Sequence, residues 1–247
     1  MSSNHNKKKY KDCVTYSILV LLGIAVRYVY FLCYPLLSRD SIFYLNQVQV
    51  LNERGWQALL CDPEYYTPPL FLRIVQVGTY ININAGNWAI GVNIFLGALT
   101  CLIIYEITRH LFNDRSKAII TSLFVCCMPY LVKFSCQIQR ESGFLFFISL
   151  GVLFGTFLYS TAKWRYLVGA VVAISIASLF RYEGILLLLF VLIPFHWHYK
   201  YRGLCFFVQI FATLLLFILT NFVISLCFSL PLNYWDFLLT NRIISSL

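Results

Sequence analysis

The amino-acid sequence predicts an all-α fold, a polytopic bundle of about seven transmembrane helices with amphipathic interfacial helices in its first outer loop. Of its 247 residues, 60% are hydrophobic and only 12% are charged, and the mean hydropathy is +0.75. An ordinary soluble domain is about half apolar and about one quarter charged. The apolar residues also form several separate long runs, a pattern typical of a chain that crosses a membrane repeatedly.

Each apolar run is a candidate membrane span, because the hydrocarbon core is about 30 Å thick and about 20 helical residues cross it. The longer runs lie at 14–37, 88–108, 143–162 and 204–229. The shorter runs lie at 118–132, 166–180 and 184–197. The last two flank Arg181-Tyr182-Glu183, and they form either two short spans or one re-entrant hairpin.

The N-terminal residues 1–13 are basic and precede the first apolar run. That run is too long for the apolar core of a signal peptide, about 7–15 residues, and it lacks a small-x-small cleavage motif. We therefore expect an uncleaved anchor helix. The predicted organisation is a basic cytoplasmic segment 1–13, a membrane module 14–229 whose outer loop is 38–86, and a short extracytoplasmic segment 230–247.

The distribution of charge predicts the orientation of the chain. If the apolar stretch 70–83 were a span, every later loop would change sides. Treating 70–83 as an interfacial helix leaves most basic residues in inner loops, as the positive-inside rule expects. We therefore expect an integral membrane protein, as in the inner membrane of a bacterium, with a cytoplasmic N-terminus and an external first loop. Tryptophans at the ends of predicted spans agree: Trp88, Trp164 and Trp197.

The first outer loop contains an amphipathic helix with a carboxylate at its start. Apolar residues recur every three positions between residues 42 and 51, and the pattern stops at Gly55. Asp40 lies where this helix begins. In one interpretation its carboxylate is an N-cap that accepts backbone N–H groups, with Arg39 as a surface partner. In the other, the carboxylate is held at the membrane surface as a catalytic group.

Charged residues also lie at the outer ends of later spans, as Arg140-Glu141 and as Arg181 with Glu183. Ionisable groups at the edge of a membrane span are costly and indicate function. Arginine suits a phosphate ligand because its planar guanidinium donates two parallel hydrogen bonds. The alternative is that these arginines and glutamates pair with one another. Both interpretations hold together if the paired carboxylates orient the arginines.

Arg27 lies near the middle of the first predicted span. Facing lipid would cost it at least about 2.5 kcal/mol, so its side chain must face protein. We expect its partner to be Glu106, a backbone carbonyl or a polar cavity. A structural clamp is the expected role.

The sequence identifies no certain cofactor, and a divalent metal ion is the one candidate. Its nine cysteines lie mostly inside apolar runs and include no CxxC pair, as expected for small buried apolar residues. Asp62 and Glu64 in the first outer loop are candidates for contacts to a hydroxyl group or to a divalent metal ion. The net charge of +9 does not indicate nucleic acid, because the basic residues lie at the ends of apolar runs rather than in one patch.

Several motifs in this order resemble one enzyme family. The chain is similar, over 27–195, to the membrane module of the GT-C glycosyltransferases, in their protein-O-mannosyltransferase-like and aminoarabinose-transferase-like branch. The resemblance implies an inverting membrane glycosyltransferase with a polyprenyl-phosphate sugar donor. The motifs are Arg27, Arg39-Asp40, Gly55-Trp56, Pro68-Pro69-Leu70, GALTCLIIYEITRHLFNDRSKA, MPYLVKFSCQIQRESGFLF and WRYLVGAVVAISIASLFRYEG.

The resemblance also implies roles for individual residues. Asp40 stands in the position of the family's catalytic acid, and a base there would take the proton of the acceptor hydroxyl. Family members often place a basic residue, which binds the donor phosphate, where this chain has Thr67. In this chain we therefore expect arginines elsewhere to bind the phosphate. The expected donor-phosphate ligands are Arg140, Arg181 and Arg73. The expected secondary polar contacts are Arg39, Asp62, Glu64, Glu141 and Glu183.

The expected partners are a lipid-linked sugar donor and membrane lipids, and the sequence leaves room for a partner subunit. Because the sequence stops soon after the last predicted span, we expect a short or truncated family member. One alternative is therefore an inactive relative that binds lipid-linked sugar or scaffolds a partner enzyme. A small lipid or solute transporter is a further alternative, although its inverted repeats and mid-membrane helix breaks are not evident.

The predicted topology can be tested by labelling. A cysteine introduced at Glu64 should react with a membrane-impermeant thiol reagent added from outside, and one introduced at Asp114 should not. Labelling at Asp114 in intact cells would invert the topology and place the predicted site on the wrong face.

Overall fold

The computed structural model of the chain describes residues 2–35, 37–61, 67–161, 163–188 and 203–230, and these are all helix and connections without a strand. The all-α prediction is confirmed. A 3₁₀ helix, Tyr182–Leu187, follows α8. The α-helices are α1 Ser2–Cys33, α2 Arg39–Leu60, α3 Pro69–Tyr80, α4 Ala85–Phe112, α5 Arg115–Cys127, α6 Pro129–Ser135, α7 Glu141–Thr161, α8 Trp164–Phe180 and α9 Gly203–Cys227.

Three helices in the described part are long and apolar enough to cross a membrane, namely Asp12–Cys33, Ala85–Phe112 and Glu141–Thr161. Helices α5 and α6, which meet at a bend of 58°, are together long and apolar enough to form a fourth, broken span or a re-entrant loop. Helix α8 and the stretch Phe211–Cys227 are apolar but shorter. The predicted run 184–197 begins in the 3₁₀ helix, and its later part lies outside the described residues. A helical membrane protein is thus confirmed, and seven spans stay a prediction.

Helix α4 is the centre of the bundle. It packs against α1, α3, α5 and α7, while α8 packs between α7 and α9. In the 18-residue apolar stretch of α4, 50% of the residues are buried within the protein, compared with 17% for the corresponding stretch of α1 and 22% for that of α7. The outer helices therefore leave apolar side chains for lipid, whereas α4 is surrounded by protein.

The predicted first outer loop folds as α2 and α3. Gly55 has a left-handed φ of 76°, so it breaks α2 where the amphipathic pattern ends. The apolar face of α2 is buried, including Val48 and Leu51. Helix α3 has 12 residues, about 18 Å of helix, and is too short to span a membrane. The non-spanning helix predicted at 70–83 is confirmed, and its interfacial depth stays a prediction.

Arg27 faces the protein interior, as predicted, and is only 1% exposed. Its guanidinium donates to the backbone carbonyl of Gly23 at 3.1 Å. Gly97 on α4 permits this arrangement, since a Cβ there would lie 2.6 Å from Arg27 Nε. Glu106, the other predicted partner, lies near the C-terminal end of α4 and instead accepts a hydrogen bond from Tyr16 of α1.

Gly143, near the start of α7, allows the side chain of Phe180, at the end of α8, to pack directly against its backbone. A Cβ at Gly143 would lie 2.2 Å from the ring of Phe180, which is buried and stacks on Phe147. A Cβ at Gly155, on the same helix, would meet nothing within 4 Å. Gly143 thus allows the residue after Phe180, Arg181, to approach the start of α7.

Replacing these two glycines should have opposite effects. Gly143→Ala should lower the free energy of unfolding by about 1–3 kcal/mol, because the buried ring cannot move away. Gly155→Ala should be neutral or stabilising by up to about 1 kcal/mol, since alanine favours a helix. Thermal unfolding in detergent measures both. Equal stability of the two variants would contradict the contact.

Candidate active site

The end of the bundle at which α2 and α7 begin is called the outer end, because the predicted topology places it outside the membrane. Two connections are joined there. Ser38 caps α2, because its Oγ accepts a hydrogen bond from Ser41 N at 3.1 Å. Ser41 Oγ donates to the carbonyl of Ile138 at 3.3 Å, and Gln139 Nε2 donates to Ser38 Oγ at 3.3 Å. The turn before Asp40 is therefore attached to the connection that leads into Arg140.

Asp40 is not the N-cap of α2, so that interpretation is wrong. Ser38 fills this role, and Asp40 lies in the first helical turn with an exposed side chain. A carboxylate there is favoured by the positive end of the helix dipole. Its carboxylate has no hydrogen bond or ion pair to any residue that the structure describes. Arg39 is exposed beside it. The Asp40 carboxylate is thus held in place by its helix and free to contact a ligand.

The connection after α6 is non-helical and lies against the central helix. Asn93 of α4 is buried and donates from Nδ2 to the carbonyls of Gln137, at 2.7 Å, and Gln139, at 2.8 Å. Backbone that leaves a helix inside an apolar bundle needs such partners, because water is absent. Asn93 was not among the predicted site residues. A polar side chain inside the run 88–108 was the available signal.

Arg181 is the most highly connected charged residue at the outer end. Its guanidinium lies 3.0 Å from Glu183 Oε1 and 3.3 Å from Glu141 Oε1, and it stacks on the ring of Phe144. The interpretation in which these arginines and glutamates pair with one another is confirmed for Arg181 and wrong for Arg140, which has no ion pair among the described residues. These contacts join the start of α7 to the end of α8.

The pKa values of this cluster follow from its contacts. Burial acts to raise the pKa of the Glu183 carboxyl, but hydrogen bonds from Arg181 and the charge of Arg140 outweigh it, and the pKa is lowered. The hydrogen bonds to Glu183 raise the pKa of Arg181, and the charge of Glu141 adds to this effect. Both groups are therefore charged at neutral pH.

Arg140 differs from Arg181 in having unused hydrogen-bond donors. Its Nε and Nη1 atoms are buried and have no partner among the described residues. It immediately precedes Glu141, which is paired with Arg181, and its charge helps to lower the pKa of Glu183, so it belongs to the same cluster. One carboxylate oxygen of Glu141 is also buried and unpaired. A buried guanidinium with free N–H groups is costly unless a ligand occupies them.

The remaining predicted residues lie apart or outside the described ranges. Arg73 donates to Gln76 at 2.6 Å and to Tyr80 at 3.2 Å, and Gln76 in turn donates to Asn52. Asn52 is twelve positions beyond Asp40 on α2, about 18 Å along the helix. The structure therefore does not bring Arg73 to the start of α2. Asp62 and Glu64 lie outside the described residues.

The part of the chain that the structure describes contains no group of three or more His, Cys, Asp or Glu side chains placed to hold a metal ion. The arrangement at the outer end is therefore one of guanidinium groups and carboxylates. Such a set can bind an anion and accept a proton.

A comparison with protein families identifies the chain. The sequence profile of dolichyl-phosphate-mannose-protein mannosyltransferases matches residues 66–228, which is more than half of the sequence. The chain belongs to this family. It is a membrane glycosyltransferase of the GT-C type, as the resemblance predicted. No curated protein and no solved structure matches the chain.

Three residues of the candidate site, Asn93, Arg140 and Arg181, lie within the matched range, which begins before α3. Asp40 lies before the matched residues, so its assignment depends on its position in the structure rather than on the family profile.

Asn93 provides a test of how the site is held. Asn93→Leu should lower the free energy of unfolding by about 1–3 kcal/mol, because the carbonyl of Gln139 loses its donor, whereas that of Gln137 keeps the backbone N–H of Gln139. Asn87→Leu, an exposed position on the same helix, is the matched control and should change stability little. Chemical unfolding in detergent measures both variants. Equal effects would show that the two hydrogen bonds do not hold the connection.

Proposed function

We propose that this protein transfers a sugar from a polyprenyl-phosphate donor to the hydroxyl group of an extracytoplasmic acceptor, with inversion at the anomeric carbon. Membership of the mannosyltransferase family supports the reaction class and a lipid-linked donor. The apolar helices support a membrane location. We place the site on the external face of a bacterial inner membrane, with the N-terminus in the cytoplasm.

The observation that carries the proposal is the state of Arg140. Its Nε and Nη1 atoms, which are buried and have no hydrogen-bond partner among the described residues, form a binding position for an oxyanion beside Arg181. Arg181 already has two carboxylate partners, whereas Arg140 has none among the described residues. Arg140 is therefore the primary ligand of the donor phosphate, and Arg181 is held beside it by Glu141 and Glu183.

The reaction needs one base and a stabilised leaving group. The acceptor oxygen attacks the anomeric carbon and forms the new glycosidic bond, while the bond from that carbon to the phosphate oxygen breaks. Asp40 takes the proton of the acceptor hydroxyl. The polyprenyl phosphate leaves with one more negative charge than it carried in the donor, and the guanidinium groups stabilise that developing charge.

The position of Asp40 fits this role because its turn is attached to the Arg140 connection by Ser41 and Gln139. Base and phosphate ligands therefore belong to one corner of the bundle. In displacement with inversion, the nucleophile and the leaving group occupy opposite sides of the reacting carbon. Two separate helices that meet at one corner can provide these two sides.

Asp40→Asn should reduce transfer about 10²–10⁴-fold, because the amide keeps the shape of the carboxylate but cannot take a proton. The assay is the release of polyprenyl phosphate from polyprenyl-phosphate mannose, the donor that the family suggests, in membranes that contain the chain. Asp114→Asn is the matched control, since Asn can still cap α5 there, and it should keep full activity.

The arginine variants separate binding from catalysis. Arg140→Gln should weaken donor binding and also lower the rate, because phosphate is contacted in both the ground state and the transition state. Near-full activity of Asp40→Asn would exclude Asp40 as the base. Absence of activity in the unmodified chain, together with retained donor binding, would indicate an inactive relative that binds lipid-linked sugar.

A further inference from the structure

A polar pocket of about 470 Å³ lies at the end of the bundle opposite the outer end, where α4 and α7 end, and this end is called the inner end. Ligand pockets typically enclose about 300–1,000 Å³. None of the lining residues belongs to the candidate active site. They are Tyr16 of α1, Glu106, Arg109 and His110 of α4, Asn113 directly after α4, and Phe157 of α7.

The pocket lies at the depth where the hydrocarbon of a membrane gives way to headgroups. Tyr16 is close to the start of the candidate span Asp12–Cys33. Arg109 is in the last turn of α4, and Phe157 is close to the end of α7. The polar headgroup region of a bilayer begins where the hydrocarbon core ends. The pocket is therefore in reach of lipid headgroups, in the inner leaflet if the predicted topology holds.

The charged groups of the pocket form a network with an excess of negative charge. Arg109 Nη2 lies 3.0 Å from Asp12 Oδ2, and Arg109 Nη1 lies 3.7 Å from Glu106 Oε1. The hydroxyl of Tyr16 also donates to Glu106 Oε1. One guanidinium is thus shared by two carboxylates, and the negative end of the α4 helix dipole is added to them. The network favours a cationic group.

Two polar atoms of this network remain available to a ligand. Glu106 uses Oε1 for both of its contacts, and its Oε2 has no hydrogen bond or ion pair to a residue that the structure describes. Arg109 donates from Nη1 and Nη2, whereas its Nε has no partner in the described ranges. Both side chains are 28% exposed, so a ligand can reach them. A free acceptor and a free donor at one pocket complement a zwitterion.

The other lining groups narrow the kind of cation. The ring of Phe157 packs edge-on against His110, with centroids 4.7 Å apart, and the Tyr16 ring also lines the pocket. An ammonium group is attracted to the face of such rings. A quaternary ammonium has no N–H group for Glu106 Oε2, whereas a primary ammonium has three. The pocket therefore fits a primary ammonium best.

We propose that this pocket binds the headgroup of phosphatidylethanolamine, with its ammonium at Glu106 and its phosphate at Arg109. The depth of the pocket favours a lipid over a soluble amine, because the acyl chains keep the headgroup at a high effective concentration there. The bound lipid joins α1, α4 and α7 at the end of the bundle remote from Asp40. This site is independent of the proposed function.

Cross-linking of the unmodified protein tests where the ammonium lies. A membrane-soluble carbodiimide activates a carboxylate, and the lipid amine, once it has lost a proton, attacks the activated carbon. An amide bond forms and the reagent leaves as a urea. Peptide mass spectrometry should find phosphatidylethanolamine on Glu106 at least about tenfold more often than on Asp114, which is 38% exposed at the same end but does not line the pocket. Equal yields on the two carboxylates would overturn the site.

Native mass spectrometry of the protein in detergent tests the choice of lipid. Phosphatidylethanolamine should bind about tenfold more tightly than phosphatidylcholine or phosphatidylglycerol with the same acyl chains, since the first lacks N–H groups and the second lacks an ammonium. Tighter binding of phosphatidylglycerol, which the nearby Arg115 and Lys117 would favour, would overturn the assignment. Displacement of the lipid by an equal concentration of soluble phosphoethanolamine would show instead that the ligand comes from solution.

One pair of variants tests the role of the Glu106 charge. Glu106→Gln keeps an acceptor for Tyr16 but should weaken phosphatidylethanolamine binding about tenfold and leave phosphatidylglycerol binding unchanged. Asp114→Asn removes a carboxylate at the same end, can still cap α5, and should bind phosphatidylethanolamine as the unmodified chain does. Equal binding by both variants would overturn the ammonium position. If Glu106→Gln does not fold, the cross-linking of the unmodified protein decides alone.

Discussion

The outer end of this protein depends on one constraint: backbone carbonyls that leave a helix within an apolar bundle must be satisfied by protein. The connection after α6 meets it with the side-chain amide of Asn93 and the hydroxyl of Ser41. Without these donors, carbonyl groups of the connection would be left unsatisfied away from water, which is energetically costly. With them, the chain turns inside the bundle and presents Arg140 next to the start of α2. The catalytic geometry that we propose is therefore built on hydrogen bonds to main-chain oxygen atoms.

The two arginines at the outer end differ in how many of their hydrogen-bond donors are occupied. Arg181 is shared between Glu141 and Glu183, so its position is fixed before any ligand arrives. Arg140 keeps buried donors that have no partner in the part of the chain that the structure describes. An anion that enters the corner meets one cation that is already oriented and one whose hydrogen bonds are still available. Preorganisation of this kind reduces the reorganisation that binding and reaction would otherwise require.

The sequence predicted much of this architecture because hydrophobic periodicity and charge act locally. The amphipathic α2 with its break at Gly55, the non-spanning α3 and the inward Arg27 follow from the spacing of apolar residues and the cost of exposing a charge to lipid. The pairing of Arg181 was foreseen for the same reason.

Other features depend on contacts between distant parts of the chain. Spacing alone could not show that Ser38 rather than Asp40 caps α2, since both precede the same helical pattern. It also could not show that Asn93 faces the 136–140 connection, because the rotation of α4 is set by packing on all sides. Arg73 was grouped with the phosphate ligands by residue type, but α3 directs it to Gln76 and Tyr80 instead.

The lowered pKa of Glu183 has a consequence for the environment in which the outer end can operate. A carboxyl whose pKa is depressed in the folded state contributes its stabilisation above the ordinary value near 4.5 and loses it only as the pH falls through the lower folded value. The ion pair with Arg181 consequently survives mild acidification. If this end faces the medium outside the cell, as we propose, the Arg181–Glu183 ion pair keeps its charges through acid conditions that would neutralise an ordinary exposed glutamate.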